Sequence, residues 1–430
     1  MQGLTKNTVK LENSDSRSRR YVDFKRKKLK RIFGDKAVEA VHIGSTSVKN
    51  VKARPVIDVM IAVRNINDVT AETEALIKSG FTQKSAGFEG KVLCFEGEEL
   101  NKITCVAYVV GYKSKEYWTL INFRDYLNVN TVRKKEFEDI KTALAQKFPN
   151  SPEEYEAGKR AYTERIADEA RTWRIFSRSV TVTVTNPKGE ALENGKTRLL
   201  NMGAADKEEM DELRPHAVYI MGENKPVKKF TGKTVAILFS TDDRENRREV
   251  WIVAPAGRTF FKPEIETLLE NDDGGNYRYV CMFEKSCGAV VYFIKDGEPL
   301  YLLIKNRSQN MGFPKGHIEK NENEHKTALR EVKEETNLAV TLDDSFREYY
   351  SYTINFCRKK QAVYFLGRAV DGKIIVPKNE ILSYSVVSFK DANRLLSHNN
   401  ERKVLRDAHE YIKNKLLTEN GSAKKPSKAE

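Results

Sequence analysis

The sequence predicts a multidomain protein of mixed α/β and α+β character. Three observations carry this. The chain has 430 residues, and at roughly 150 residues per domain that is about three cores. Strand-like and helix-like apolar patterns follow one another in the first and last thirds, whereas the middle alternates every second residue. The composition, 40% hydrophobic and 32% charged, is that of a globular chain, with no apolar run of about eighteen residues to span a membrane. The expected segments are 9–176, 178–284 and 285–418, followed by a polar, disordered tail over 419–430.

The first segment opens on RSRRYVDFKRKKLKRIFG (17–34), with nine Lys and Arg against one Asp in a chain of net charge +14. As charge, it offers a surface to nucleic acid or polyphosphate. As periodicity, it is a solvated helix with Tyr21, Phe24, Leu29, Ile32 and Phe33 turned inward, and this second reading is preferred. Next, AVEAVHIGSTSVKNVKARPVIDVMIAV reads as strand, Gly-Ser turn, loop and buried strand. The Gly44-Ser45 turn can present backbone amides to phosphate, and Asp58 is the one acid in the strand beyond it. Strands KVLCFEG and ITCVAYVVGY and a helical half complete the segment, with Ser151-Pro152-Glu153-Glu154 a good helix start.

This segment, with NFRDYLNVN, EYEAGKRAY and DEARTW, resembles the GrpB family, whose fold is related to the nucleotidyltransferases. The resemblance implies an α/β domain with a possible phosphate or nucleotide site at Gly44, Ser45 and Asp58. Two-metal chemistry needs a second acid, and Met60 stands where it would be. Lys49-Asn50 replaces the family's Pro-Gly, and no histidine remains in ITCVAYV.

In the middle segment, RSVTVTVTNPKG, HAVYIMG, KTVAILFS and REVWIVAPAG read as strands of a small β barrel or sheet. A short helix is expected near KPEIETLLEN. The segment resembles the soluble inorganic pyrophosphatases, which implies a five-stranded barrel. Ala217 takes the place of a metal-binding Asp, and the substrate loop is reduced to TRLLNMG. Asp242 and Asp243 remain near a later acidic site, and the resemblance implies a catalytically dead domain.

The third segment begins with a hairpin around Lys295-Asp296-Gly297 and reaches GFPKGHIEKNENEHKTALREVKEETNL (312–338). A helix from about Asn323 has Ala328, Leu329 and Val332 inside. Glu331, Glu334 and Glu335 fall on one face at i, i+3 and i+4. Like charges so spaced repel. They need either a cation, such as Mg²⁺ held by carboxylates, waters and phosphate, or an arginine, and Arg330 is placed to pair with Glu322.

Gly316, Glu322 and Arg330-Glu331-Val332-Lys333-Glu334-Glu335, with Asn337-Leu338 after them, resemble the Nudix box, with Asn337 in place of its last glycine. Asn tolerates the left-handed backbone of a helix end. The resemblance implies an α/β/α sandwich that hydrolyses a nucleoside diphosphate linked to another group, with Mg²⁺ or Mn²⁺. Gly316, Glu331, Glu334, Glu335 and Glu380 would hold metal, Glu331 or Glu334 would be the base, and Arg330 and Glu322 would orient the ligands.

FREYYSYTI, KKQAVYFLGRA and KNEILSYSVVSFKDA resemble the asymmetrical diadenosine tetraphosphate hydrolases of the animal type. Lys315, His317 and Lys360 would then lie beside phosphate, Tyr364 would line the substrate site, and Tyr384 would stack on adenine. Met311 replaces an aromatic residue common in that subfamily. The expected partner is a nucleotide or dinucleoside polyphosphate. Alternatives are a nucleotide sensor without turnover and an RNA 5′-end pyrophosphohydrolase using the basic helix; DNA and membrane are not expected partners. The five cysteines contain no C-x-x-C pair, which argues for buried thiols and a cytoplasmic location.

Overall fold

A computed structural model describes residues 3–13, 16–85, 90–206, 215–241, 248–355, 357–369 and 372–422. They form two compact units, 1–183 with 204–216, and 184–203 with 217–430. Among the described residues no helix is long and apolar enough to cross a membrane.

In the first unit, helix α1 (Ser16–Phe33) lies on one sheet face. Its buried stripe is Val22, Lys25, Leu29 and Phe33, the i, i+3, i+7 spacing of one helix face. Phe24, expected inside, is 57% exposed, because two positions from Val22 carry it about 200° round the helix. Lys25 takes the inward place, and its ammonium donates to Glu99 at 2.5 Å. Strands β1 (Ala37–Ile43), β2 (Ile57–Val63), β3 (Phe81–Lys84), β4 (Leu93–Glu99) and β5 (Lys102–Gly111) run in the order β1-β2-β5-β4-β3. Only β2 and β5 are parallel within this order. Ile57, Val59, Ile61 and Val63 of β2 share a core with α1 and α2 (Thr70–Lys78). The alternate positions, Asp58, Met60 and Ala62, point to the opposite face.

Helices α3 (Lys115–Val129), α4 (Thr131–Lys147) and α5 (Pro152–Ser177) form a second core with Val48 and Val51. Lys141 of α4 is fully buried there; its ammonium donates to the Lys52 carbonyl and lies 4.4 Å from the Phe137 ring centre.

The middle segment supplies β6 (Ser179–Asn186), β7 (Asn201–Ala205), β8 (Ala217–Ile220), β9 (Lys229–Ser240) and β10 (Glu249–Ala254). Their order is β10-β8-β7-β6-β9, and a β9–β10 pairing closes the ring into a five-stranded barrel. Helix α6 (Lys262–Asp272) ends at Asp272, whose carboxylate accepts from the Leu199 and Leu200 amides at 2.8 Å and pins the TRLLNMG segment. Asp242 and Asp243 lie outside the described residues.

Strand β11 (Tyr277–Cys281), on the barrel's β9, is separated by Met282 alone from β12 (Phe283–Lys295), the first strand of the C-terminal sheet. A two-residue turn, Asp296-Gly297, with φ of 52° and 81°, leads into β13 (Glu298–Asn306), the positive-φ pair that hairpin twist favours. Short β14 (Met311–Gly312) and β15 (Lys315–His317) precede α7 (Glu324–Thr336). Then follow β16 (Val340–Asn355), β17 (Arg358–Ala369) and β18 (Ile381–Ser388). The sheet order is β14-β13-β12-β17-β16, with β15 also on β12 and β18 on β13.

Helix α7 packs Ala328 and Val332 on one face of this sheet. Leu329, expected beside them, is 42% exposed; the small inner positions let α7 sit close, and Leu329 falls outside that stripe. Helices α8 (Phe389–Leu395) and α9 (Asn399–Ser422) cover the other face, which makes the α/β/α sandwich. Helix α9 takes in the first residues of the expected tail; 423–430 lie outside the described residues. Cys94, Cys105, Cys281 and Cys287 are buried free thiols.

Asn337 ends α7 in the left-handed conformation, φ 63° and ψ 7°, and its amide donates to the Lys333 carbonyl at 2.8 Å. Lys333 returns its ammonium to the Asn337 carbonyl and side-chain oxygen. Asn337→Ala should lose about 1 kcal/mol or slightly more in thermal or urea unfolding, while Asn337→Gly should stay close to wild type. Equal stability of Asn337→Ala would overturn the cap reading. For Lys141, burial pulls the ammonium down to about 7, with Lys159 repelling it further. The unfolded chain therefore holds the extra proton between about pH 7 and 10.5, and this group makes stability rise with pH there. Urea midpoints of wild type and Lys141→Met should converge or cross in the wild type's favour over that window; parallel profiles would refute it.

Candidate active site

The chain between β15 and the end of α7 builds this site. Asn323 caps α7 by accepting from the Lys326 amide at 2.9 Å, which sets the helix phase and sends Arg330, Glu331, Glu334 and Glu335 toward the β14–β15 loop. Arg330 is the hub. Its guanidinium donates to both oxygens of Glu322 at 2.7 and 2.9 Å, to Glu331 at 2.7 Å, to Glu334 at 2.9 Å and to the His317 carbonyl at 2.9 Å. Glu322 also accepts from the Thr327 hydroxyl at 2.7 Å and the Glu319 amide at 3.1 Å. With Arg330 first among the causes, its carboxyl is held down at about 2.

Glu331 and Glu335 sit differently. Glu331 is buried, and burial raises its pKa against the pull of Arg330. Glu335 accepts from the Lys315 amide at 2.8 Å, yet burial, with Glu331 and Glu380 repelling it, pushes its carboxyl up to about 7. Gly316 explains how close this packing is. A Cβ there would stand 2.1 Å from the Glu331 carboxylate, so only glycine leaves room for the acid against the backbone.

Cations line the other side. Lys360 of β17 lies 3.0 Å from His317 Nε2, which is 3.4 Å from Glu284. Burial lowers the Lys360 pKa, and Lys315 adds to this. The Lys315 ammonium is 3.5 Å from Glu401. Glu380 and Tyr384 are exposed on and beside β18, and Tyr384 is directly opposite Ile304 of β13.

Tyr364, expected on the substrate surface, is fully buried; its hydroxyl donates to Glu401 at 3.1 Å and its ring meets Phe313 edge-on. The structure thus brings together Lys315, Gly316, His317, Glu322, Arg330, Glu331, Glu334, Glu335 and Lys360, and sets Tyr364 beneath them in the core. Sequence reasoning missed Glu284 and Glu401. Neither stands in a spacing motif; each is made local only by strand pairing or by α9 folding back.

Among the described residues no three acidic, His or Cys side chains already converge as a ready metal site, since Arg330 holds Glu331 and Glu334. The chemistry of the donors still suits a hard cation: burial raises both Glu331 and Glu335, Glu334 raises Glu331 and Glu331 raises Glu335, and a divalent charge would relieve that.

In the first unit, Gly44 has φ 69°, and a Cβ there would lie 2.1 Å from Asp58. Ser47 N–H and Oγ close the turn on the Gly44 carbonyl, and Ser45 begins the same one-turn 3-10 helix. Burial raises Asp58 to about 6, opposed by Arg54 and Lys159. Arg54 pairs with Glu156 at 2.7 Å. Gly44, Ser45 and Asp58 are therefore neighbours, with two cations near the acid.

The GrpB protein family matches residues 8–169, and the NUDIX domain family matches residues 285–408. Glutamate-rich protein GrpB of Alkalihalophilus pseudofirmus is 31% identical, over 39% of this chain and 99% of its own. The asymmetrical bis(5′-nucleosyl)-tetraphosphatase of Sus scrofa is 24% identical, over 30% of this chain and 95% of its own. The solved conserved protein GrpB from Enterococcus faecalis aligns at 24% identity, over 37% of this chain and 96% of its own, with a TM-score of 0.35. Over residues 8–169 the chain belongs to the GrpB family, and its C-terminal NUDIX domain supports a hydrolase of phosphorus-containing anhydrides.

Proposed function

We propose that the NUDIX domain hydrolyses dinucleoside polyphosphates with Mg²⁺ or Mn²⁺, cutting diadenosine tetraphosphate into ATP and AMP. The observation that carries this is the enclosed Glu331–Glu335 pair against Gly316, with Lys315, His317 and Lys360 beside it. Acids and cations so placed suit a polyanion bridged to protein by a divalent ion. The pig relative, a tetraphosphatase by name, supports the choice of substrate.

Glu331, Glu334 and Glu335, with the Gly316 carbonyl and Glu380, would hold the cation. When bound, it would neutralise phosphate oxygens and make the attacking water more acidic. Arg330 keeps Glu331 and Glu334 oriented while Glu322 and the His317 carbonyl anchor its other edge. Lys315 and Lys360 bind the phosphate chain. Glu331 or Glu334 takes the proton as the water oxygen attacks phosphorus and the anhydride P–O bond breaks. The proton leaves on the carboxylate, and the bond electrons leave on the departing phosphate.

Purified protein with Mg²⁺ should convert diadenosine tetraphosphate to ATP and AMP, read by chromatography. Glu331→Gln should lower kcat at least about a hundredfold. Arg330→Lys cannot reproduce the fork and should cut kcat at least about tenfold. Undiminished turnover in Glu331→Gln would sink the assignment. Failure on diadenosine tetraphosphate with turnover of 5′-triphosphorylated RNA would move the substrate to RNA ends. Nucleotide binding without turnover of any of these would leave a sensor.

A further inference from the structure

The basic helix α1 is anchored by some of its cations and leaves others unused. Lys25 and the Tyr21 hydroxyl both donate to Glu99. Arg26 and Lys30 donate to the Ala40 and Val38 carbonyls of β1 at 2.8 and 3.4 Å. Strand β1 ends the sheet order, so these two side chains cover an open strand edge. Asp23, the one acid of the helix, pairs with Arg26. Arg20, Lys27 and Arg31 are exposed and hold no hydrogen bond or ion pair among the described residues.

At about 100° per residue, Arg20, Lys27 and Arg31 all fall within about 60° of Phe24, on the side away from Val22, Leu29 and Phe33. The solvent face of α1 is therefore one stripe, Arg20, Phe24, Lys27 and Arg31, with a cation or a ring on each successive turn. Lys27 and Arg31 repel at i, i+4, and the helix has no acid on this stripe to offset them. The Phe24 ring, 57% exposed, adds little to the core. It is nonetheless steadied: the Tyr21 ring stacks on it at 6.4 Å, and Tyr21 is itself tied to Glu99.

An anionic strand supplies what this stripe lacks. Phosphates neutralise the cations, and an unpaired base offers a flat face to the ring. A duplex would satisfy the cations alone, because its bases are stacked inside. A bilayer surface would need several apolar residues on this side, and Phe24 is the only one on the stripe. RNA is the nucleic acid that regularly presents unpaired bases. We infer that α1 binds single-stranded RNA, with Arg20, Lys27 and Arg31 on its phosphates and Phe24 stacked on a base. This surface is independent of the NUDIX reaction, and its test involves no turnover.

The full chain, kept in EDTA, is titrated into a fluorescein-labelled, unstructured RNA of about twelve nucleotides, and anisotropy is read between about 50 and 200 mM salt. Phe24→Ala should weaken binding about fivefold or more with the salt slope unchanged, and Phe24→Trp should keep it. Replacing Arg20, Lys27 and Arg31 together by Gln should flatten the slope of log affinity against log salt by about 2. Replacing three exposed lysines elsewhere, Lys295, Lys326 and Lys390, by Gln removes the same charge and should change both far less. The RNA annealed to its complement should bind more weakly and ignore Phe24→Ala. All of these positions are exposed, so the variants should keep the wild-type urea midpoint.

Absent RNA binding at the lower salt, an affinity indifferent to Phe24→Ala, a duplex bound as tightly as the single strand, or an equal loss in the control triple each overturns the proposal. So does co-sedimentation with phosphatidylserine vesicles in place of RNA binding. Failure of the hydrolase reading shows instead as absent turnover and leaves these titrations unchanged.

Discussion

One guanidinium organises the C-terminal site. Arg330 joins the loop acid Glu322, the strand carbonyl of His317 and the helix acids Glu331 and Glu334. Without it, three glutamates on one helical face would repel each other and swing into solvent. With it, loop, strand and helix are locked to a common geometry, and the planar fork makes this a matter of direction as well as charge. The partly exposed members of the network contribute less to stability than their number implies. Their effect is on where the buried acids point.

The same network sorts the acids by environment. Glu322, paired on both oxygens, is held ionised down to about 2. Glu335, enclosed and facing other carboxylates, is poised at about 7. Two residues of the same type are thus driven apart by burial and neighbours alone. The poised one touches the backbone of Lys315, so acid and cation meet at one point of the chain.

Local spacing made part of this legible in the sequence. Gly316, Glu322 and Arg330 to Glu335 are separated by short, regular intervals, and a helix turns such intervals into a face. Asn337 was readable for a similar reason, because a helix end admits few residues at positive φ. Glu401 and Glu284 were not readable: they reach the site by chain reversal, from 70 residues after Glu331 and 47 before it, and carry no periodic mark. Phe24 and Leu329 show the limit from the other side. Approximate helical spacing put them inside, but the phase of α1 and α7 is set by Lys25 with Glu99 and by the small residues of α7. Tyr364 lies in a strand whose pattern cannot tell which face meets ligand. Period-two alternation gave strands of a barrel or a sheet, and only the resemblance implied five strands closed into a barrel; the closing pair, β9 with β10, carries no mark in the sequence.

The passage from β11 to β12 bears on how the domains can be handled. Cys281 ends one strand, Phe283 begins the next, and the Met282 carbonyl between them accepts from the Lys359 amide at 2.8 Å. Arg358 donates to the Cys281 carbonyl and pairs with Glu284. This seam is hydrogen-bonded sheet, not a tether. A hydrolase fragment cut at residue 285 would leave the Lys359 amide and the Arg358 fork without their partners, at the base of the strand that carries Lys360. The natural place to divide the chain lies upstream, among residues whose backbone is not shared by two sheets.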